Sequence, residues 1–113
     1  MKKITKPAML PDSECDREFL QGMVNRRAHA FIKYGSVHAN KREDFLRSLE
    51  ARLAKYRADG NTEWLVDVAV YAWVEFMNPR HPDAHFRATA SHESPGNYMQ
   101  GEINPTTRRN TDL

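Results

Sequence analysis

Four side chains with chemical potential recur every fourth residue in the most apolar part of this chain. They are Glu63, Asp67, Tyr71 and Glu75, within NTEWLVDVAVYAWVEFM at residues 61–77, where 12 of 17 residues are apolar or aromatic. On a helix such a spacing places them in one row. Three chemistries are open to that row. Glu63 and Asp67, one turn apart, could hold a divalent cation through oxygen ligands. The row could equally be a solvated face, or meet Arg and Lys from another helix. A buried structural carboxylate is the third option, and it would need hydrogen-bond partners, because an unpaired buried charge is costly.

A complementary set lies upstream. Arg26, His29 and Lys33 follow at i, i+3 and i+7, with Asn25 and Arg27 adjacent. This face could bind phosphate or nucleic acid, or pair with the acidic row. His85 and Arg87 are added to it as a candidate binding patch. Arg42, Arg47, Arg52, Lys55 and Arg57 form a further basic series, broken up by acidic residues. Aromatic residues are not interleaved with the basic ones in the manner of a single-strand binder. His81, His85 and His92, with Asp83 and Glu93 nearby, raise a metal question. His81 and His85 share a face only if that stretch is helical, and zinc sites prefer sharper constellations, so surface or packing histidines are expected. Cys15 is an unpromising nucleophile, set among Glu14, Asp16 and Glu18 at the acidic start of a helix. No Gly-rich phosphate loop and no Ser-centred elbow is present.

Three helices must position these residues. Residues 13–34 read as the first, capped by Pro11-Asp12-Ser13, with Leu20, Val24 and Phe31 at helical spacing and Gly35 as the stop. Gly22 inside it suggests a close helix crossing. Residues 41–58 read as the second, with Asn40 and Glu43 as a capping box and Glu43–Arg47 as an i,i+4 pair. Its apolar stripe is Phe45, Leu46, Leu49, Leu53 and Tyr56. Residues 62–77 read as the third, between the Asn61 cap and the Asn78-Pro79 stop. The valines at 66, 68, 70 and 74 raise a buried strand as a competitor. Length, the lack of strict alternation and the flanking signals favour helix. Beyond residue 78, Pro79, Pro82, Pro95, Gly96 and Pro105 break up the chain, and a short helical turn is expected at 82–86. The final residues are expected to be disordered.

The expected architecture is therefore all-α, a three-helix bundle with an extended, mostly irregular C-terminal arm. It is a single domain over 1–113, with the helical core at about 13–78 and the arm at 79–113. A chain of 113 residues fits one domain. Seventeen Lys and Arg against fifteen acidic residues, net +2, give no argument for nucleic acid without clustering. One cysteine excludes an internal disulfide and a Cys-based zinc site. The opening MKKITKPAMLPD lacks the apolar run of a signal peptide, and no stretch has the ~20 apolar residues of a membrane span. A cytoplasmic protein without a membrane association is the expectation.

Two resemblances follow from these motifs. GNTEWLVDVAVYAWVEFMNPRHPDAHFRATASHESPG, residues 60–96, resembles a family of short proteins from actinobacteria and their bacteriophages, and KYG at 33–35 extends the likeness. It implies a phage or prophage setting and no particular activity. Glu63 and Asp67 followed by Tyr71 also make the third helix similar to the all-α MazG-like nucleotide pyrophosphohydrolases. That resemblance implies a magnesium site built from four carboxylates on two helices. The family spacing is E-x-x-D, one residue shorter than here, and no earlier helix has a clear E-x-x-E near its middle.

The functional expectation is a non-enzymatic phage-type accessory protein that binds another protein, a host or defence factor for example. Trp64, Trp73 and Phe76 ask for more cover than one three-helix unit supplies, which points to a protein partner or a homodimer. The alternative is a MazG-like pyrophosphohydrolase using Mg2+ on Glu63 and Asp67. A nucleic-acid binder ranks third. No catalytic residue and no cofactor is assigned.

Overall fold

A computed structural model describes residues 5–100 of the chain. It is all-α: helices α1 (Arg17–Tyr34), α2 (Phe45–Asp59) and α3 (Glu63–Met77), with short 3-10 turns at Asp12–Glu14, Val37–Ala39 and Ser91–Glu93. No strand occurs among the described residues. The expected disorder of the last residues falls outside them.

Each helix stops where the sequence indicates. Gly35 (φ 83°) and Gly60 (φ 75°) adopt the positive φ that costs glycine nothing. Their amides donate to Phe31 O and Tyr56 O at 2.8 and 2.7 Å, closing the last turns. α3 ends at Asn78, and Pro79 follows, which lacks the N–H to continue.

The helix starts are later than the sequence suggests. Ser13 lies in a 3-10 turn, and Cys15 is extended, so Asp16 becomes the cap of α1, accepting from Phe19 N at 2.9 Å. Asn40 and Glu43 make only one bond of a capping box, Asn40 Oδ1 accepting from Glu43 N at 3.0 Å; the Glu43 carboxylate instead accepts from the Asn40 side-chain amide, Nδ2 to Oε1 at 3.3 Å. They close a turn ahead of the helix, and Asp44 caps α2. Glu43 therefore binds Ser48 Oγ (3.0 Å) rather than Arg47. Asn61 caps α3 in function, accepting from Glu63 N at 3.0 Å.

α3 is the central helix. α2 packs along it closely, and α1 leans on it more lightly. Among the described residues the buried hydrophobic side chains are Val37, Phe45 and Val74, of which Phe45 is fully buried, with Tyr71 packed against them. Burying a residue of this size contributes about 1.5–3 kcal/mol. Residues just past α3 clasp the α1–α2 connection over this core. Asn78 Nδ2 donates to Val37 O at 2.7 Å, and Arg80 donates to Asn40 O (2.7 Å) and Glu43 O (3.0 Å). The Arg80 guanidinium lies 4.4 Å from the centre of the Phe45 ring. The clasp satisfies loop carbonyls that the core would otherwise desolvate.

α1 meets α3 at Gly22, where an added Cβ would lie 3.6 Å from Val66 Cγ1. That is ordinary van der Waals contact, so the crossing is close but does not demand a glycine. Much of the expected apolar stripe of α1 is uncovered: Leu20, Val24 and Phe31 are 36%, 42% and 57% exposed. Leu46 and Phe76 are also exposed, and Phe76 meets Phe86 of the arm edge-on (centroids 6.4 Å apart). Instead of the helical turn expected at 82–86, residues 81–84 form a single turn closed by Ala84 N donating to His81 O at 3.2 Å, and the chain is irregular from 84 on.

Candidate functional site

Every member of the acidic row has a partner, and the partners differ. Arg26 of α1 reaches across to both carboxylates of the first two turns. Its Nη2 is 2.7 Å from Glu63 Oε1, and its Nη1 is 3.7 Å from Asp67 Oδ1. The Glu63 side chain is well exposed, whereas that of Asp67 retains 18% of its surface. Tyr71 packs on Phe45 and under Arg52, whose guanidinium is 4.7 Å from the ring centre. Burial, then the hydrogen bond to the Glu43 carboxylate, holds the Tyr71 hydroxyl above its ordinary pKa. Glu75 accepts from Arg80 N at 2.9 Å, while its other oxygen is buried without a partner.

Of the three chemistries open to the row, pairing with a basic residue of another helix is what the geometry shows for Glu63 and Asp67. Among the described residues, no three His, Cys, Asp or Glu side chains are grouped to hold a metal ion.

The basic face of α1 does not align with the row as a unit. Only Arg26 pairs with it. His29 and Lys33 instead line a cleft of about 670 Å³ between α1 and α2, floored by α3. Arg27 and Arg52 line the same cleft, as do Tyr71, Val70 and Val74 beneath. Arg27 stacks on Trp73 (5.5 Å), and Lys33 lies over Tyr34 (5.2 Å). The cleft's two carboxylates are engaged internally: Asp67 by Arg26, and Glu43 by Asn40, Ser48 and Tyr71.

His85 and Arg87 stand apart from this cleft. Arg87 forms a bidentate pair with Glu93 (2.6 and 3.3 Å), which raises the pKa of the arginine and lowers that of the carboxylate. Glu93 also accepts from Ala90 N at 2.8 Å, so this pair staples the arm to itself. His81 Nδ1 accepts from Asp83 N at 3.0 Å, and His85 Nδ1 lies 2.8 Å from Asp83 O. These histidines shape a local turn. Cys15 is a free, partly buried thiol.

The sequence places Arg27 and Arg52 among its basic residues without their roles as a stacked cation and as the lid of Tyr71, and it does not single out Arg80, the clasp. Asn78-Pro79 marks a helix end, but nothing local to it signals Arg80, whose acceptors are carbonyls 37 and 40 residues away. No pattern announced Arg52.

Fold and site together define a class: an open all-α three-helix protein whose central helix carries a basic cleft on one side. Beyond that class, the chain matches no protein-family model, no curated protein sequence and no solved structure. No helix among the described residues is long and apolar enough to cross a membrane.

Proposed function

We propose that this chain is a non-enzymatic accessory protein that acts by docking onto another protein. The single observation that carries the reading is the uncovered flank of α1. Leu20, Val24 and Phe31 share one side of the helix, next to Ala28, and each is at least 36% exposed. Against this, three hydrophobic side chains are buried among the described residues. Contiguous apolar surface on a small protein is a common mark of an interaction site. The flank is charged at its ends, with Glu18 in the first turn and Lys33 in the last. A matching partner therefore presents an apolar helix in antiparallel sense, basic where α1 is acidic and acidic where it is basic. A second copy of this chain meets that description, and so does a host protein with such a helix. The sequence resemblance to phage proteins supports a setting in the bacterial cytoplasm, with a host or defence factor as the target.

The test is a comparison of wild type with the V24D/F31E variant. Both are checked for helicity, then used as bait in bacterial lysate and run for oligomeric state at equal concentration. The reading expects a self-assembly or a reconstitutable complex that the variant loses. If wild type and variant behave alike in both experiments, the flank is not a docking surface.

The pyrophosphohydrolase reading finds less support. Glu63 and Asp67 would have to exchange Arg26 for magnesium, and no second carboxylate pair stands opposite them among the described residues.

A further inference from the structure

We propose that the cleft between α1 and α2 binds a small organic molecule through its phosphate group. This inference stands independently of the docking surface on the outer flank of α1.

The first ground is charge. Four fixed cations line the cleft, Arg26, Arg27, Lys33 and Arg52, against two carboxylates, Asp67 and Glu43. Both carboxylates are already spent on internal partners, and Arg26 is spent on Asp67 and Glu63. Among the described residues, the side chains of Arg27, His29 and Lys33 make no hydrogen bond or ion pair with an acceptor, and Arg27 Nε is buried without one. His29 and Lys33 stand one turn apart on the wall of α1 that lines the cleft, and Arg27 lines it as well. Arg27 and Lys33 thus bring two fixed positive charges to one cleft without an anion of their own, and a bound anion offsets their repulsion.

The second ground is pre-organisation. Arg27 is held on Trp73 and Arg52 on Tyr71, one from each wall. Each has its Nε buried without an acceptor. Stacking fixes a guanidinium in place, so less side-chain freedom is lost when an acceptor arrives. Arg is also the residue whose planar fork matches phosphate oxygens.

The third ground is size. A volume of about 670 Å³ is far larger than an inorganic ion needs. It falls within the range of about 300–1,000 Å³ typical of small-molecule sites. The floor supplies Val70, Val74 and the Tyr71 ring for an organic portion. Phosphate at the α1 wall and carbon skeleton over α3 is the arrangement these residues favour.

Calorimetric titration of the full chain at low ionic strength tests this. The probes are glucose phosphate, inorganic phosphate and glucose. The expected order is saturable binding of glucose phosphate, weaker binding of inorganic phosphate and none of glucose. K33M and H29Q, both exposed and checked for helicity, should each weaken glucose phosphate by on the order of tenfold, the size expected for one lost charge-assisted hydrogen bond. K41M, outside the cleft, should change nothing. Absence of saturable binding in the millimolar range overturns the proposal, as does equal weakening by K33M and K41M. Tighter binding of a short single-stranded oligonucleotide, with a steep salt dependence, overturns it in favour of a nucleic-acid surface.

Discussion

The two sides of α3 are built differently. On the α2 side, Phe45 and Val74 are buried to a few per cent exposure, and the Arg80–Asn78 clasp seals the loop above them. On the α1 side, contact rests on Gly22 against Val66, the Arg26 ion pairs and Arg27 stacked on Trp73. One side is held by apolar burial and the other largely by arginine. Burial is strong and non-directional, whereas exposed ion pairs contribute little. The consequence is a rigid α2–α3 unit carrying a more loosely held α1, and α1 supplies both the uncovered apolar flank and one wall of the basic cleft.

The largest effect expected from this contrast is at the phenylalanines. Phe45→Ala should destabilise the chain by about 3–5 kcal/mol, as deletion of a buried ring does. Phe31→Ala, at 57% exposure, should cost under about 1 kcal/mol in the isolated chain. Urea unfolding of the two variants measures both. Similar losses would mean that α1 is as integral to the core as α2, and the contrast would fail.

How much of this was legible in the sequence follows the same divide. Helix ends were readable, because Gly35, Gly60 and Asn78-Pro79 act through local backbone chemistry. The starts of α1 and α2 slipped by four residues each, and that of α3 by one, because several cap-forming side chains compete near the first two. Ser13 lost to Asp16, and Asn40 lost to Asp44. At α2 the reason is long-range: the carbonyls of Asn40 and Glu43 are taken by Arg80, from 40 and 37 residues away. The acidic row itself was readable from its period of four. The basic face of α1 was readable as one of its possible partners, but not which member would pair, since the crossing of α1 over α3 decides that Arg26 and not Lys33 comes within reach of Asp67. Periodicity says which residues share a face, and packing says what that face meets.

A smaller effect, of opposite sign, sharpens the comparison at the crossing itself. Gly22→Ala should stabilise the chain by about 0.5–1 kcal/mol, because Ala restricts the unfolded backbone and favours helix. The added methyl meets Val66 at an ordinary contact distance of 3.6 Å. In a tightly packed interface the same change would clash and destabilise. Thermal melts distinguish the two, and a lowered midpoint would show that α1 packs more closely than the geometry indicates.

The smallest effect expected is at the pair that answers what faces Asp67. Arg26→Gln removes the link to both Glu63 and Asp67, yet the arginine side chain is 45% exposed and that of Glu63 is 66% exposed. The Arg26–Glu63 pair, so open to solvent, is worth about 0.2–1 kcal/mol, and salt screens it; the contact with Asp67, whose side chain keeps 18% of its surface, is an ion pair at 3.7 Å without a hydrogen bond. Global stability should therefore fall by less than about 1 kcal/mol, and the difference from wild type should shrink at high ionic strength. Hydrogen exchange should respond more visibly, with faster exchange along α1 and unchanged protection in α2 and α3, because local opening draws on the weakest interface first. A uniform rise across all three helices would instead mark the molecule as one cooperative unit. In that case Arg26 would be a strut of the whole fold, and the looseness assigned to α1 would have no basis.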